Sequence, residues 1–339
     1  MGIGFEHARF RRHAVNPSRH SGEQLDERHA SSETVSVHES ALIQAKPMDA
    51  QRVLAIVITY RPMLGLLDNL FELNRARVRT VVVDNTDDSS SCVILEKIER
   101  ELPVRVIRNG QNLGIAAALN IGVRQAIDEG FEWVATFDQD SLITQGYFKL
   151  MFEAYELCSF QERVALIAPL LCYSSEESNK QRQVKAKPLY SLTRTAMSSG
   201  SLIRSEIFKK EGFYDESFFM DYVDYEFCLR LWKRGWKIIR ANRAHLLHKL
   251  GVPRAHSFLG LKLTTKSHNP WRRYFIMRNR VIVFQRYGFS SPAWCLYDFF
   301  WIFLELTKIV FFEKERGAQL RATVRGLRDG LRRKAAAPA

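Results

Sequence analysis

The sequence has no run of about 18 or more uninterrupted apolar residues, so a clean membrane-spanning helix is not indicated. It has no paired cysteines either. Cys92, Cys158, Cys172, Cys228 and Cys295 are scattered, odd in number and never spaced C-x-x-C. That argues against a disulfide framework or a zinc site, and for a reducing compartment. Met1–Arg12 lack the apolar core of a secretory signal, so cytoplasmic residence is expected. Internal repeats and recognised nucleic-acid-binding motifs are also missing.

What the sequence has in excess is positive charge. Fifty Lys and Arg against 37 Asp and Glu give a formal charge of +13. Such a surplus suits a nucleic acid, an anionic membrane surface or a phosphorylated substrate, and composition does not choose among them. A conspicuous part of it lies in a C-terminal stripe, so nucleic-acid binding is not expected. The 339 residues suffice for one large α/β domain with appendages or for two small domains.

Residues 1–50 are rich in Arg, His, Ser and Glu without a sustained period and read as a disordered leader. The texture changes at residue 53. Val53–Ile58, Arg79–Val83, Val104–Ile107 and Trp133–Phe137 are short apolar, β-branched runs of the kind expected of strands buried on both faces. Between them Met63–Leu73, Cys92–Glu101 and Gly114–Glu129 read as helices. The alternation implies right-handed βαβ units and a parallel sheet. Farther on, Val164–Leu171, Ala196–Ile203, Trp236–Ile239 and Ala244–Leu247 read as strands, Ser174–Val184 as a polar loop and Tyr222–Arg234 as a helix.

Ligands of open α/β sheets bind beyond the carboxyl ends of the strands. The second strand ends in Asp84-Asn85 and the fourth in Asp138-Gln139-Asp140. In extended chain Asp138 and Asp140 face one side while Gln139 faces the other. The two carboxylates suit a Mg²⁺ or Mn²⁺ ion whose shell is completed by diphosphate oxygens; a polar turn capping the next helix explains the same letters. Asp84 reads either as a contact to a pyrimidine N–H or as a helix cap. Asn112-Leu113-Gly114 through Asn120 is neither a G-x-G-x-x-G nor a P-loop pattern. It lets backbone approach an anion at a helix N-terminus, or simply packs a helix tightly on the sheet.

A second acidic cluster runs Asp221-Tyr222-Val223-Asp224-Tyr225-Glu226. On a helix Asp221 and Asp224 share a face, which Glu226 does not join. Aromatic neighbours lower hydration and raise a carboxylate's pKa toward useful basicity. Asp224, with Asp221 second, is the candidate base for deprotonating an incoming hydroxyl; N-terminal helix capping by acids is the plainer reading. His248 follows an apolar strand and could reach the same cation, although a lone histidine is more often structural.

Taken together, these segments resemble family 2 glycosyltransferases of the GT-A fold. The resemblance runs over about residues 53–285. It is carried by Val57-Ile58-Thr59-Tyr60 with Pro62, Val83-Asp84-Asn85, Asn112-Leu113-Gly114 with Asn120, and Asp138-Gln139-Asp140-Ser141. It continues through Ser199-Gly200, Phe218 to Asp224, His248 to Gly251, Asn269-Pro270, Arg272-Arg273-Tyr274 and Arg278-Asn279. Within the family the sequence is most similar to bacterial rhamnosyltransferases, including the second rhamnosyltransferase of rhamnolipid synthesis and O-antigen enzymes. The resemblance implies a Rossmann-like nucleotide-diphospho-sugar transferase fold with a mostly parallel central sheet. It implies dTDP-L-rhamnose as donor, a glycolipid or saccharide acceptor, and an α-rhamnoside formed with inversion. It assigns nucleotide binding to Thr59, Tyr60, Asp84, Asn112, Gly114 and Asp138, with Asp84 at the base and Asp138 at the ribose. It assigns the metal to Asp140 and His248, the catalytic base to Asp224, and a donor and acceptor loop to Ser199, Gly200, Arg273 and Arg278. Many relatives carry Glu-Asp where this chain has Val223-Asp224; the rhamnosyltransferase subgroup shares the departure.

Trp294–Phe312 is apolar but carries Asp298 and Glu305 on one helical face with Lys308 near it. Leu320, Val324, Leu327 and Leu331 then form an apolar stripe beside a basic stripe of Arg321, Arg325, Arg328 and Arg332. The first reads as an amphipathic helix, with weak insertion into a membrane as its alternative; the second either lies on an anionic membrane surface or packs on the domain with a solvated basic face. The expected organisation is therefore a leader over 1–50, a GT-A domain over 51–285 and a basic membrane-associating region over 286–339. The enzyme is expected to sit in the cytoplasm, peripherally on the inner face of the cell membrane. Another nucleotide-sugar donor, or a catalytically silent nucleotide-sugar-binding protein, is the alternative.

Overall fold

The four apolar runs of the first half become the four strands that carry the site. The computed structural model describes residues 49–174, 177–178, 188–248, 254–258, 261–265, 269–313 and 315–332. Nearly all of the expected leader and most of the expected Ser174–Val184 loop lie outside them. Strands β1 (Val53–Thr59), β2 (Arg79–Asp84), β3 (Val104–Arg108) and β4 (Trp133–Asp138) stand in the order β3-β2-β1-β4, all parallel. Helices α1 (Gly65–Arg75), α2 (Cys92–Glu101) and α3 (Ile115–Asp128) connect them. Every residue of β1 is buried, which is why its sequence shows no polar alternation. Gly122 brings α3 close to the sheet: a Cβ there would stand 2.5 Å from the Ile56 side chain.

Beyond β4 the sheet becomes mixed. Strand β5 is Ser141–Ile143, and helix α4 (Tyr147–Glu156) leads to β6 (Val164–Cys172). Then come β7 (Tyr190–Thr193), β8 (Leu202–Arg204), helix α5 (Ser205–Glu211), helix α6 (Val223–Lys233) and β9 (Lys237–His248). The full order is β3-β2-β1-β4-β8-β6-β9-β5, with β7 also on β9. Strand β8 is antiparallel to β4 and β6, β6 is parallel to β9, and β5 and β7 are antiparallel to β9. The architecture is thus the expected α/β fold with a mostly parallel central sheet.

Three expectations are corrected. Ala196–Ile203 is not one strand; β8 begins at Leu202, because Ser198–Gly200 turn tightly with Gly200 at φ +79° and its N–H on Thr136 O (2.6 Å). The two strands expected at Trp236–Ile239 and Ala244–Leu247 are a single strand, β9. Its register against β6 slips between Pro169 and Leu170, so the polar Asn242-Arg243 interruption sits at an irregularity instead of ending the strand. Helix α6 starts at Val223, not Tyr222, because Asp221 and Tyr222 both adopt left-handed backbone (φ +55° and +65°).

A backbone hairpin, β10 (Arg254–Phe258) with β11 (Leu261–Thr265), precedes three C-terminal helices. These are α7 (Pro270–Tyr287), α8 (Pro292–Phe312) and α9 (Arg316–Arg332). Asn269 caps α7 by accepting from Arg272 N (2.7 Å), with Pro270 in the first turn. No helix among the described residues is long and apolar enough to cross a membrane.

Candidate active site

The parallel register places the predicted rim residues side by side: Thr59 pairs with Asp84, and Ile58 with Asp138. Asp84 is buried and its carboxylate is met by three hydroxyls: Thr59 (2.7 Å), Thr86 (2.8 Å) and Ser91 (3.0 Å). Thr59 thus orients Asp84. Tyr60, at the end of β1, is partly exposed, and its N–H donates to Gln139 Oε1 (3.0 Å). Asn112 Oδ1 accepts from Gly114 N (3.1 Å), and Asn85 Nδ2 donates to Gly114 O (3.0 Å). Gly114 itself (φ +86°) presses on Phe219: a Cβ would stand 2.5 Å from Phe219 O, and Ile115 N donates to that oxygen (2.7 Å). The glycine thus packs closely on the Phe219 loop, not on the sheet as the packing reading expected, and one N–H of the helix start already has a backbone partner.

The three-residue strand β5 is what completes the acidic site. Its pairing sets Ser141 against His248, and so brings the end of β9 beside Asp140. Ligand atoms of Asp138, Asp140 and His248 lie within 4.8 Å of one another. His248 Nδ1 stands 3.0 Å from Ser141 Oγ and 3.7 Å from Asp140 Oδ1. Ser199 Oγ accepts from Asp138 N (3.0 Å) and bonds Ser141 Oγ (2.7 Å), so the Ser199-Gly200 turn supports the cluster. Two carboxylates and an imidazole that close together, one carboxylate half-buried and one exposed, fit a divalent cation of the Mg²⁺ or Mn²⁺ class with room for further oxygen ligands. Burial pushes the Asp138 carboxyl upward and Asp140 adds to this, while His248 and Arg272 oppose it. Like charges so close call for a positive partner.

The second acidic cluster is arranged differently from a shared helix face. Asp221 precedes α6 in the left-handed turn, and Arg272 grips its carboxylate with two nitrogens (Nε 3.0 Å, Nη2 2.9 Å). Asp224 stands in the first turn of α6, part-buried, accepting from Tyr225 N (2.9 Å). Its carboxyl is pushed up to about 7, by burial first and then by the charges of Asp221 and Asp138, against the Tyr225 N–H. Asp138 of the rim is thus among the charges that act on Asp224. Glu226 turns inward, fully buried, onto Arg230 (3.1 Å) and Tyr287 OH (2.6 Å), and is not part of the site.

Helix α7 holds the loop before α6. Asn279 Nδ2 donates to Met220 O (2.7 Å) and Asp221 O (2.9 Å), and Arg278 donates to Ser217 O. Arg273 points elsewhere, to Glu305 on α8 (3.0 Å). The arginine facing the acids is its neighbour Arg272, which also acts electrostatically on Asp138. Helical phase carries that signal: Arg272 and Asn279 are seven apart on the side toward Asp221, and Arg273 and Arg280 are seven apart on the side toward Glu305. From α8, Asp298 accepts from Tyr222 OH (2.9 Å) and from Arg280 Nε (2.9 Å), which fixes the residue between Asp221 and α6.

Comparison with known proteins places the chain among glycosyltransferases. Residues 55–217 match the family profile described as glycosyl transferase family 2. The chain is 27% identical over 294 residues to a dTDP-rhamnosyl transferase, RfbF, of Shigella flexneri, covering 83% of this chain and 95% of that protein. It is 23% identical over 251 residues to the galactofuranosyltransferase GlfT1 of Mycolicibacterium smegmatis, covering 67% of this chain and 81% of that protein. Among solved structures, a crystal structure of GalNAc-T7 with UDP, GalNAc and Mn²⁺ superposes with a TM-score of 0.50 at 12% identity. It covers 68% of this chain and 47% of that one, so this chain spans about half the length of that protein.

Proposed function

We propose that this chain, which carries a family 2 glycosyltransferase domain over residues 55–217 and is a glycosyltransferase, moves L-rhamnose from dTDP-L-rhamnose to a hydroxyl of a glycolipid or saccharide with inversion. The observation that carries the reaction is the cluster of Asp138, Asp140 and His248, whose ligand atoms lie within 4.8 Å of one another, together with Asp224 in the first turn of α6; burial and two neighbouring acids push the Asp224 carboxyl up to about 7, which suits proton removal near neutral pH. In this reading the Asp224 carboxylate takes the proton of the acceptor hydroxyl as that oxygen bonds to the anomeric carbon. The carbon–oxygen bond to the diphosphate breaks, and the nucleoside diphosphate leaves with the electron pair. One displacement inverts the centre. Asp221, held by Arg272, adds its charge to the burial that raises the Asp224 pKa.

The donor end is assigned to the rim. Asp84, oriented by Thr59, Thr86 and Ser91, takes the pyrimidine N–H, with Tyr60, Asn112 and Gly114 around it. Asp138 takes the ribose, and Asp140 with His248 would hold Mg²⁺ or Mn²⁺, which when bound neutralises charge on the departing diphosphate. Rhamnose and dTDP are supported by the similarity to RfbF over most of both chains. The lack of paired cysteines and the basic, amphipathic C-terminal helices support a cytoplasmic enzyme lying peripherally on the anionic inner face of the membrane, where a lipid-linked acceptor is presented.

Mass spectrometry of incubations with a panel of nucleotide-sugars, Mg²⁺ or Mn²⁺, and glycolipid and saccharide acceptors tests the assignment. The expected result is a rhamnosylated product from dTDP-rhamnose. Transfer from a galactofuranosyl or other donor in its place would overturn the donor, and hydrolysis or no turnover with every pair would overturn the reaction.

A further inference from the structure

Helix α8 is amphipathic in the reverse of the usual sense for a surface helix. Its two acids face inward: Asp298 is buried on Arg280 and Tyr222, and Glu305 pairs with Arg273 and Arg280, while the helix's one base, Lys308, is half-buried between the two faces. The opposite row is Leu296, Phe300, Phe303, Thr307 and Phe311, uncharged throughout, with its four large apolar side chains between 56 and 68% exposed. Ordinary surface helices put apolar residues on the domain and charge in water. Here the ion pairs lock the helix in the opposite rotation.

Helix α9 repeats the theme by another device. Its packed face is Gln319, Thr323, Gly326 and Gly330. A Cβ at Gly330 would stand 2.8 Å from Arg278 O, and one at Gly326 would run into Tyr274 O, so this small-residue face is set closely on α7. The helix therefore presents Val324, Leu327 and Leu331 outward at 63, 42 and 60% exposure. Arg321, Arg325, Arg328 and Arg332, all exposed, run alongside. The packing on the domain and the apolar exposure, two readings that look exclusive in the sequence, are both present.

We propose that the outward faces of α8 and α9 dock on an anionic lipid bilayer. The surface deepens the membrane part of the function proposed above and does not depend on which sugar is transferred. Four arginines beside an apolar row match headgroup phosphates beside acyl chains. A second copy of the chain meeting this face symmetrically would set arginines against arginines, which disfavours self-association. The absence of a spanning helix among the described residues fits a protein that lies on the surface.

The test is flotation of the full-length protein with vesicles of phosphatidylcholine alone and of phosphatidylcholine mixed with phosphatidylglycerol, at low and high salt. Phe300→Ser with Phe303→Ser, and Arg325→Glu with Arg328→Glu, are compared after their folding is checked by circular dichroism. Wild type is expected to float with the anionic vesicles and to be released by salt. Each double variant should lose binding by about tenfold or more while keeping turnover of a water-soluble acceptor. Undiminished flotation of both variants would overturn the proposal. So would failure of wild type to bind either vesicle, including the case in which it sediments as a dimer that the Phe variant dissociates. Flotation without rhamnosyl transfer would leave the docking surface standing and remove the donor assignment, so the two failures are distinguishable.

Discussion

Asp84 and Asp224 are the same side chain withdrawn from water in two regions of one site, and their surroundings give them opposite characters. At the β1–β2 rim, three hydroxyls converge on Asp84. At the start of α6, Asp224 is met by a backbone N–H and faces two further acids. Three donors fix the direction in which the Asp84 carboxylate points; a buried carboxyl with one donor and two acids near it, as at Asp224, holds on to its proton more strongly. In the proposed function the contrast is the one between orienting the donor and taking a proton.

The largest expected effect breaks the comparison on the catalytic side. Asp224→Asn should lower kcat by roughly 10²–10⁴-fold with little change in donor KM, whereas Asp84→Asn should chiefly raise donor KM; steady-state kinetics with varied donor decide it. Stability should move in opposite directions. The Asp224 pKa is raised from 3.8 to about 7, so the folded chain keeps a proton that the unfolded chain has released, and this contribution is lost as pH rises through about 7. Asp224→Asn is therefore expected to melt above wild type at pH 8 and close to it at pH 4, while Asp84→Asn, which disturbs three hydrogen bonds, melts below it. For the same reason kcat/KM of wild type should fall on the acid side with an apparent pKa near or below 7, and a bound cation would draw it lower.

Removing the cation comes next. Chelation should slow turnover by about 10²-fold or more, with recovery on adding Mn²⁺ or Mg²⁺ to wild type but not to Asp140→Ala; recovery of that variant would place the ion elsewhere. Smaller effects sharpen how the two regions are joined. Gly114→Ala meets both a left-handed φ and the Phe219 carbonyl, and should cost about 2–4 kcal/mol in denaturant unfolding while displacing the loop that carries Asp221. Asp298→Asn keeps a partner for Tyr222 but weakens the Arg280 pair, and should cost roughly 1–3 kcal/mol, with kcat affected more than donor KM.

The rim was legible because its strands are buried on both faces: β1, β2 and β4 each extend one residue beyond their apolar runs, to Thr59, Asp84 and Asp138. That extra residue is the one assigned to the donor in the proposed function. The second acidic region was legible in composition but not in geometry. Nothing local announces that Asp221 and Tyr222 take left-handed backbone; that is imposed by α7 and α8 through Asn279, Arg272 and Asp298, some 50 to 76 residues away in sequence. Strand β5 is too short for periodicity to reveal, yet its pairing with β9 is what carries His248 to Asp140. Arg273 and Arg272 differ by about 100° of helical rotation, enough to exchange a contact with Asp221 for one with Glu305.

The most direct measurement is a crystal of the protein soaked with Mn²⁺ and dTDP, with the metal located by its anomalous scattering. One strong Mn²⁺ peak is expected among Asp138, Asp140 and His248, with the diphosphate against it on the side toward Asp224 and the thymine ring at Asp84. Mn²⁺ bound away from that trio, or a nucleotide whose diphosphate lies out of reach of Asp224, would contradict the proposed site.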